Sequence, residues 1–191
     1  MTRRYDMARR SQQAAQTREN IIAATEALLR TRRIDEVTLQ AIAEEAATTV
    51  QTVLRHMESR DGCFTAVVQV VTTRVATQRG RSAYCSVEDA IADLTDHYEA
   101  EGPLILNLLA QEQSGDAFVT DLMKRGRRFH RDWVRRCITG KPDVQTQSDI
   151  DALVLATDIY AWKLLRLDLG RSRTKVREVM SRIVKGVLDN A

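Results

Sequence analysis

The sequence predicts an all-α chain, and three observations carry that prediction. Its 191 residues include only eight Gly and two Pro, so few helix breaks are available. Apolar residues recur at helical spacing through most of the length. No stretch keeps the two-residue alternation of a strand for long. A chain of this size makes one ordinary domain or two small ones sharing a boundary, and buries a sizeable core.

The first helix is expected from about Ser11 or Arg18 to Thr31, with Ile21, Ala24 and Leu28 on one face and Ile22 and Leu29 beside it. Residues 1–17 read as an unstructured basic arm. Residues 1–18 hold Arg3, Arg4, Arg9, Arg10 and Arg18 against Asp6 alone, a net +4, whereas residues 19–64 carry −3. Such an arm can reach phosphates or a minor groove, or be an ordinary solvated terminus.

Thr38 stands before Leu39, Ile42, Ala43 and Ala46, one helical face, and Thr is a favoured N-cap. Ala47, Thr48 and Thr49 break that pattern. Thr49 can then cap a second short helix with Val53 and Met57 on its inner face and Gln51, Thr52 and Arg55 projecting away. Small residues at Ala43 and Ala46 let the two helices cross closely, as a helix-turn-helix requires before its second helix can enter a major groove about 12 Å wide.

The stretch from Arg18 to Phe64 resembles the N-terminal domain of TetR-family transcriptional regulators over about 47 residues without a gap. The resemblance rests on Arg18, Ile21, Ile22, Ala24, Val37-Thr38, Ile42-Ala43, Ala46, Thr52, His56 and Ser59-Arg60-Asp61. It implies an N-terminal three-helix DNA-binding domain over 18–64 and a larger C-terminal helical ligand-binding and dimerisation domain over 65–191. Expected base contacts are Gln51, Thr52 and Arg55, with Val50 against a thymine methyl. Expected phosphate anchors are Thr38, Thr49, His56 and Arg60. Members usually have Gly at Arg33 and Ala47, Tyr at Leu54, Phe at Met57 and Lys at Arg60. Both Arg33 and Ala47 are therefore expected in the left-handed backbone region, at roughly 1–2 kcal/mol each. Leu54 offers no donor where the family Tyr touches a phosphate.

Ser59 is expected to cap a longer helix in which Phe64, Val67, Val68, Val71 and Val75 recur to about Gln78. The polar segment GRSAYCS ends at Ser86, where Val87, Ala90, Ile91, Leu94 and Tyr98 begin another helix. Pro103 is expected to interrupt it, leaving Leu104 to Gln111 as a separate piece. Ser114 to Asp116 opens the next, carrying Phe118, Leu122, Phe129, Trp133 and Cys137 and stopping near Gly140 and Pro142. The arginine-rich run from Lys124 to Arg136 around it reads as a solvated face.

From Asp149 to Leu169 apolar residues lie on nearly opposite sides of one expected helix, and Gly170 stops it. A final apolar stripe runs from Val176 to Leu188. A second stripe implies a partner, so Ile159, Trp162, Leu169, Val176, Met180, Ile183 and Val187 are assigned to a homodimer interface, as TetR-like proteins dimerise. By the same resemblance the middle helices would enclose a site for a small, largely apolar effector, lined by Leu94, Tyr98, Ile105, Leu109, Phe129 and Trp133, with Leu108 and Tyr160 as further walls. His97, Asn107, Gln111, His130 and Asp158 are its polar anchors. Aromatics at helical spacing serve equally well as plain core.

Other classes find little footing. Cys63, Cys85 and Cys137 form no CxxC pair, which argues against a disulfide framework or zinc site. With only His56, His97 and His130 and no GxSxG, HExxH or glycine-rich phosphate loop, no catalytic residues, metal or cofactor are expected, so the chain is not read as an enzyme. No run of about 18 apolar residues and no apolar amino-terminal core predicts a cytoplasmic protein without a membrane partner. The expectation is a dimeric regulator on a double-stranded DNA operator, released by a small-molecule effector; the alternative is a helical ligand-binding or protein-interaction module with weak or lost DNA binding.

Overall fold

The computed structural model describes residues 2–80, 86–138 and 146–190, with side chains from Arg9 onward. Among the described residues every regular element is helical. The chain divides into two compact units, Met1–Thr73 and Arg74–Ala191. The division falls within the fourth helix, later than the expected boundary after residue 64.

The first unit holds α1 (Thr2–Thr31), a 3₁₀ turn (Ile34–Glu36), α2 (Leu39–Glu45), α3 (Val50–Met57) and the first turns of α4 (Arg60–Arg79). Its core is Ile21, Leu28, Ile42, Val53, Phe64 and Val67, each at most 3% exposed. The segment expected as an unstructured arm is helical from Thr2. The reason is compositional: Met7 to Arg18 contains Ala, Arg, Gln, Met, Ser and Thr but no Gly or Pro, so propensity favours extending α1 even though its residues from Arg9 to Gln16 are exposed.

The second unit holds the rest of α4, α5 (Val87–Leu109), a 3₁₀ turn (Glu112–Ser114), α6 (Ala117–Trp133) with a π-helical turn (Val134–Ile138), α7 (Gln147–Ala156), α8 (Ile159–Lys163) with a second π-helical turn (Leu164–Asp168), and α9 (Arg173–Leu188). Ser86, Asp116, Thr146, Asp158 and Ser172 each cap the helix that follows by accepting a backbone N–H. Buried Ile91, Leu94, Tyr98, Trp133, Leu153 and Met180 form the centre of this unit's core. Gly140, Pro142 and Cys85, on which the sequence reading placed a helix stop and a thiol, lie outside the described residues.

Pro103 does not interrupt α5. Its missing N–H costs about 3 kcal/mol in a helix interior, but Leu94 and Tyr98 before it and Leu104 and Leu108 after it are all buried, so packing on both sides keeps the helix in register. The single helix expected over 149–169 is instead broken at Thr157 and Asp158. The Thr157 hydroxyl turns back to the Leu153 carbonyl at 2.6 Å, and Asp158 begins a new helix by accepting from the Tyr160 amide at 2.8 Å. Glu99 on α5 ties this end together, receiving Arg166 Nε at 2.7 Å, Arg173 Nε at 2.9 Å and Trp162 Nε1 at 3.3 Å.

These breaks overturn part of the interface assignment. Ile159, Trp162, Val176 and Met180 are at most 6% exposed within one chain and belong to its own core. For Ile159 and Trp162, counting 100° per residue ran across the break; Val176 and Met180, on α9, are the side of the final stripe that packs inward. Val187 packs partly against the same core, and only Leu169 and Ile183, about half exposed, face outward.

Gly102 lets α8 approach α5: a Cβ there would lie 2.8 Å from the Trp162 ring. Gly102→Ala should therefore overpack this contact and lower stability by about 1–3 kcal/mol in urea denaturation.

Candidate functional site

In the first unit, α2, the turn and α3 form a helix-turn-helix whose geometry follows from local chemistry. Thr38 Oγ1 accepts from the Ala41 amide at 3.1 Å and Thr49 Oγ1 from the Thr52 amide at 3.2 Å, starting the two helices. Ala47 between them has φ 50°, the left-handed turn expected there. Arg33 differs: its φ of −66° and ψ of 149° are extended, because it caps the 3₁₀ turn by accepting no strain and donating its amide to Glu36 at 3.1 Å. Glu58, closing α3, is the second non-glycine residue with positive φ, at 68°.

Val53 and Met57 anchor α3 in the core. That fixes the opposite face outward: Gln51 and Arg55 are exposed, and Val50, Thr52 and His56 are half-buried. The Thr49 and Thr52 hydroxyls lie 3.0 Å apart, so one donates to the other and the two act as a pair. Leu54 is 38% exposed and presents an apolar surface beside them. Arg60 is placed differently from a free phosphate anchor. Its guanidinium lies over the Phe64 ring, 4.9 Å from the centroid, and its Nε is buried without a partner, so only the outer end of the fork remains for contacts.

The helical extension of α1 completes this surface. Arg10, Gln13, Ala14 and Thr17 of α1 face Arg55 and His56 of α3 across a recess of about 390 Å³. Two arginines and a histidine around one concave surface suit an anionic backbone. Sequence reading found Arg55 and His56 but not their α1 neighbours, since an arm taken as unstructured has no face.

Residues 21–67 match the family model of bacterial regulatory proteins of the tetR family. The amino-terminal unit carries a TetR-family domain. Solved structures share the fold over most of the chain. A transcriptional regulator from Rhodococcus sp. Rha1 superposes with a TM-score of 0.70 at 10% identity, covering 91% of this chain and 97% of its own. A tetR-family transcriptional regulator from Streptomyces coelicolor does so with 0.62 at 16% identity, covering 91% and 79%. No curated protein sequence matches the chain. At these identities the likeness is one of fold. Among the described residues no group of His, Cys, Asp and Glu could hold a metal ion, and no helix is long and apolar enough to cross a membrane.

The second unit of this TetR-like chain brings some of the expected effector residues together. Tyr98 and Trp133 are buried in the core, Phe129 lies at its edge, and Leu94 is fully enclosed by packing; Ile105 and Leu109 flank the core rather than line one site. What gathers Tyr98, Phe129 and Trp133 is Arg79 at the end of α4, which no sequence signal marked. Its guanidinium is 4% exposed and sits 5.2 to 5.5 Å from the centroids of all three rings. The helix was expected to end at Gln78, and Arg79 followed by Gly80 looks like an ordinary polar terminus.

Arg79 Nη1 lies 3.1 Å from His130 Nδ1. A guanidinium only donates, so Nδ1 accepts and the imidazole proton sits on Nε2, 3.1 Å from the Thr157 hydroxyl, which in turn donates to the Leu153 carbonyl. Tyr98 donates its phenol to the Thr157 carbonyl at 2.9 Å. Burial, aided by the nearby Arg79 charge, pushes His97 down to about 2 and His130 down to about 3. Burial also lifts Tyr98 to about 12 and lowers Arg79. Cys63 and Cys137 have thiols raised by burial, the pattern of structural rather than reactive cysteines.

Two outcomes follow. Ala47→Gly should raise stability by about 1 kcal/mol in urea denaturation, since glycine removes the Cβ penalty at φ 50°. Because His97 and His130 have folded values below their unfolded ones, the unfolded chain binds more protons as pH falls. Their contribution is therefore intact above about 6.5 and is lost progressively toward 3, so melting temperature should drop through that window, and less so in His97→Phe.

Proposed function

We propose that the protein is a dimeric transcriptional repressor that releases a pseudo-palindromic operator when a small molecule occupies its second unit. The single observation that carries the DNA reading is α3: a helix fixed inward by Val53 and Met57 and offering Gln51, Thr52 and Arg55, with Val50, from its outer face. Gln and Arg forks match adenine and guanine edges, and Thr38, Thr49, His56 and the outer end of Arg60 meet phosphates. Arg10 joins them from across the recess.

A second copy fits the exposed apolar residues Leu155, Tyr160, Leu164, Leu167, Leu169 and Ile183, each between 48% and 73% exposed. Two reading heads related by a two-fold axis would meet half-sites about one helical turn or somewhat more apart. A second reading, a helical binding module without DNA affinity, draws on Leu54 and on the net −3 of residues 19–64.

Fluorescence anisotropy on DNA from upstream of the protein's own gene, at two salt concentrations, separates them. The repressor reading expects sequence preference and an affinity that falls with salt; Arg10→Ala and Arg55→Ala should each reduce the salt slope by about 1, and Gln51→Ala should alter preference among sites. Binding that lacks both sequence preference and salt dependence would favour the module.

A further inference from the structure

Among the described residues Arg79 is a buried cation with no carboxylate at hydrogen-bond distance in the structure. Among the described residues its guanidinium meets one neutral imidazole nitrogen, the Tyr98 phenol and three aromatic faces, and its Nε has no partner at all. Asp158 acts on it through charge without a hydrogen bond, one of its carboxylate oxygens capping α8. Burying a guanidinium under such terms is costly, and a core of this quality would be more stable with an apolar side chain in its place.

Two further buried polar atoms around the same rings also lack partners: Nδ1 of His97, which neighbours Tyr98, and Nε1 of Trp133, whose ring stacks with His130. Three orphaned groups converging on one interior region exceed what packing alone explains, since buried polar groups are ordinarily satisfied. Each of Arg79 Nε and Trp133 Nε1 can only donate, so the missing partner is an acceptor; next to an uncompensated cation, that acceptor is an anion. The side chains packed around Arg79 are aromatic and aliphatic, which suits an apolar body.

We propose that the second unit binds a small carboxylate with an apolar or aromatic body, its carboxylate pairing with Arg79 and accepting from Trp133 Nε1. This rests on the reading of that unit as an effector domain and names the chemical class of the effector. Binding of the acid neutralises the buried charge and satisfies the orphaned donors, so selectivity over the corresponding amide comes from the head group and not from the apolar body.

Thermal-shift and calorimetric titrations test this with matched pairs: benzoate against benzamide, phenylacetate against phenylacetamide, and octanoate against octanamide. At least one acid should raise the melting temperature while its amide does not. In Arg79→Met that acid-specific rise should vanish while far-ultraviolet circular dichroism keeps its helical form. Equal shifts within every pair, or no shift with any acid on the wild-type chain, overturn the proposal without recourse to a variant. Anisotropy on the upstream DNA is run alongside: acid-selective binding without DNA binding would sustain the carboxylate site and sink the repressor, and DNA binding without acid-selective shifts would do the reverse.

Discussion

An ionised guanidinium in a protein interior dictates the state of everything around it, and Arg79 does so for the second unit. Because it can only donate, His130 must offer a bare Nδ1 and carry its proton on the far nitrogen, which directs a hydrogen bond to Thr157. Thr157 is the residue at which α7 ends, and the Tyr98 phenol holds its carbonyl. The end of α4, the middle of α5, α6 and the junction of α7 with α8 are thus linked through one charge. Both histidines nearby stay neutral chiefly because they are buried, and the Arg79 charge adds to that effect.

The first unit solves a different problem with weaker forces. A two-turn helix is marginal alone, so α3 depends on its two buried side chains, its threonine cap and the close approach of α4. That approach is enforced at Gly62, where a Cβ would strike the Met57 carbonyl at 1.9 Å. The same tight bracketing puts Ala47 and Glu58, neither of them glycine, into positive φ at either end of α3. Orientation of the outward face is obtained at the cost of backbone strain, which fits a part whose role is to hold side chains at fixed angles.

Much of this was legible in the residues. Local signals with one physical cause held: Thr38, Thr49 and Ser59 accept backbone N–H groups at the helix starts they were expected to cap, and Ile21, Leu28, Val53 and Phe64 lie inside. Failures occurred wherever a distant contact outweighed a local preference. Pro103 is a breaker by chemistry and a helix interior by packing. The arm was read from its charge, while its backbone followed the propensity of Ala, Gln and Arg. Arg79 had no chance of being noticed, because nothing local distinguishes an arginine bound for the interior from one bound for water. Ile159 and Trp162 were assigned outward because periodicity assumes an unbroken helix and α7 to α8 is not one, whereas Val176 and Met180 belong to a stripe on α9 whose buried side serves its own core. Of the reading surface, Gln51 and Arg55 are where the sequence placed them, and Arg60 alone is drawn partly inward by the Phe64 ring.

The π-helical turn over Leu164–Asp168 has a further consequence. A π turn fits one more residue into a helix than the α form would hold, so it can be viewed as an insertion that the surrounding helix has absorbed. Removing one residue there would let the segment relax to α geometry while the chain beyond it kept its register on the core, since the wide turn takes up the extra residue. Leu164 and Leu167, about half exposed within the turn, are the residues that such a change would re-aim, while Trp162, upstream, stayed in place. The exposed apolar surface around this turn is therefore adjustable by single-residue changes in length, while Val176 and Met180 beyond it stay in the core.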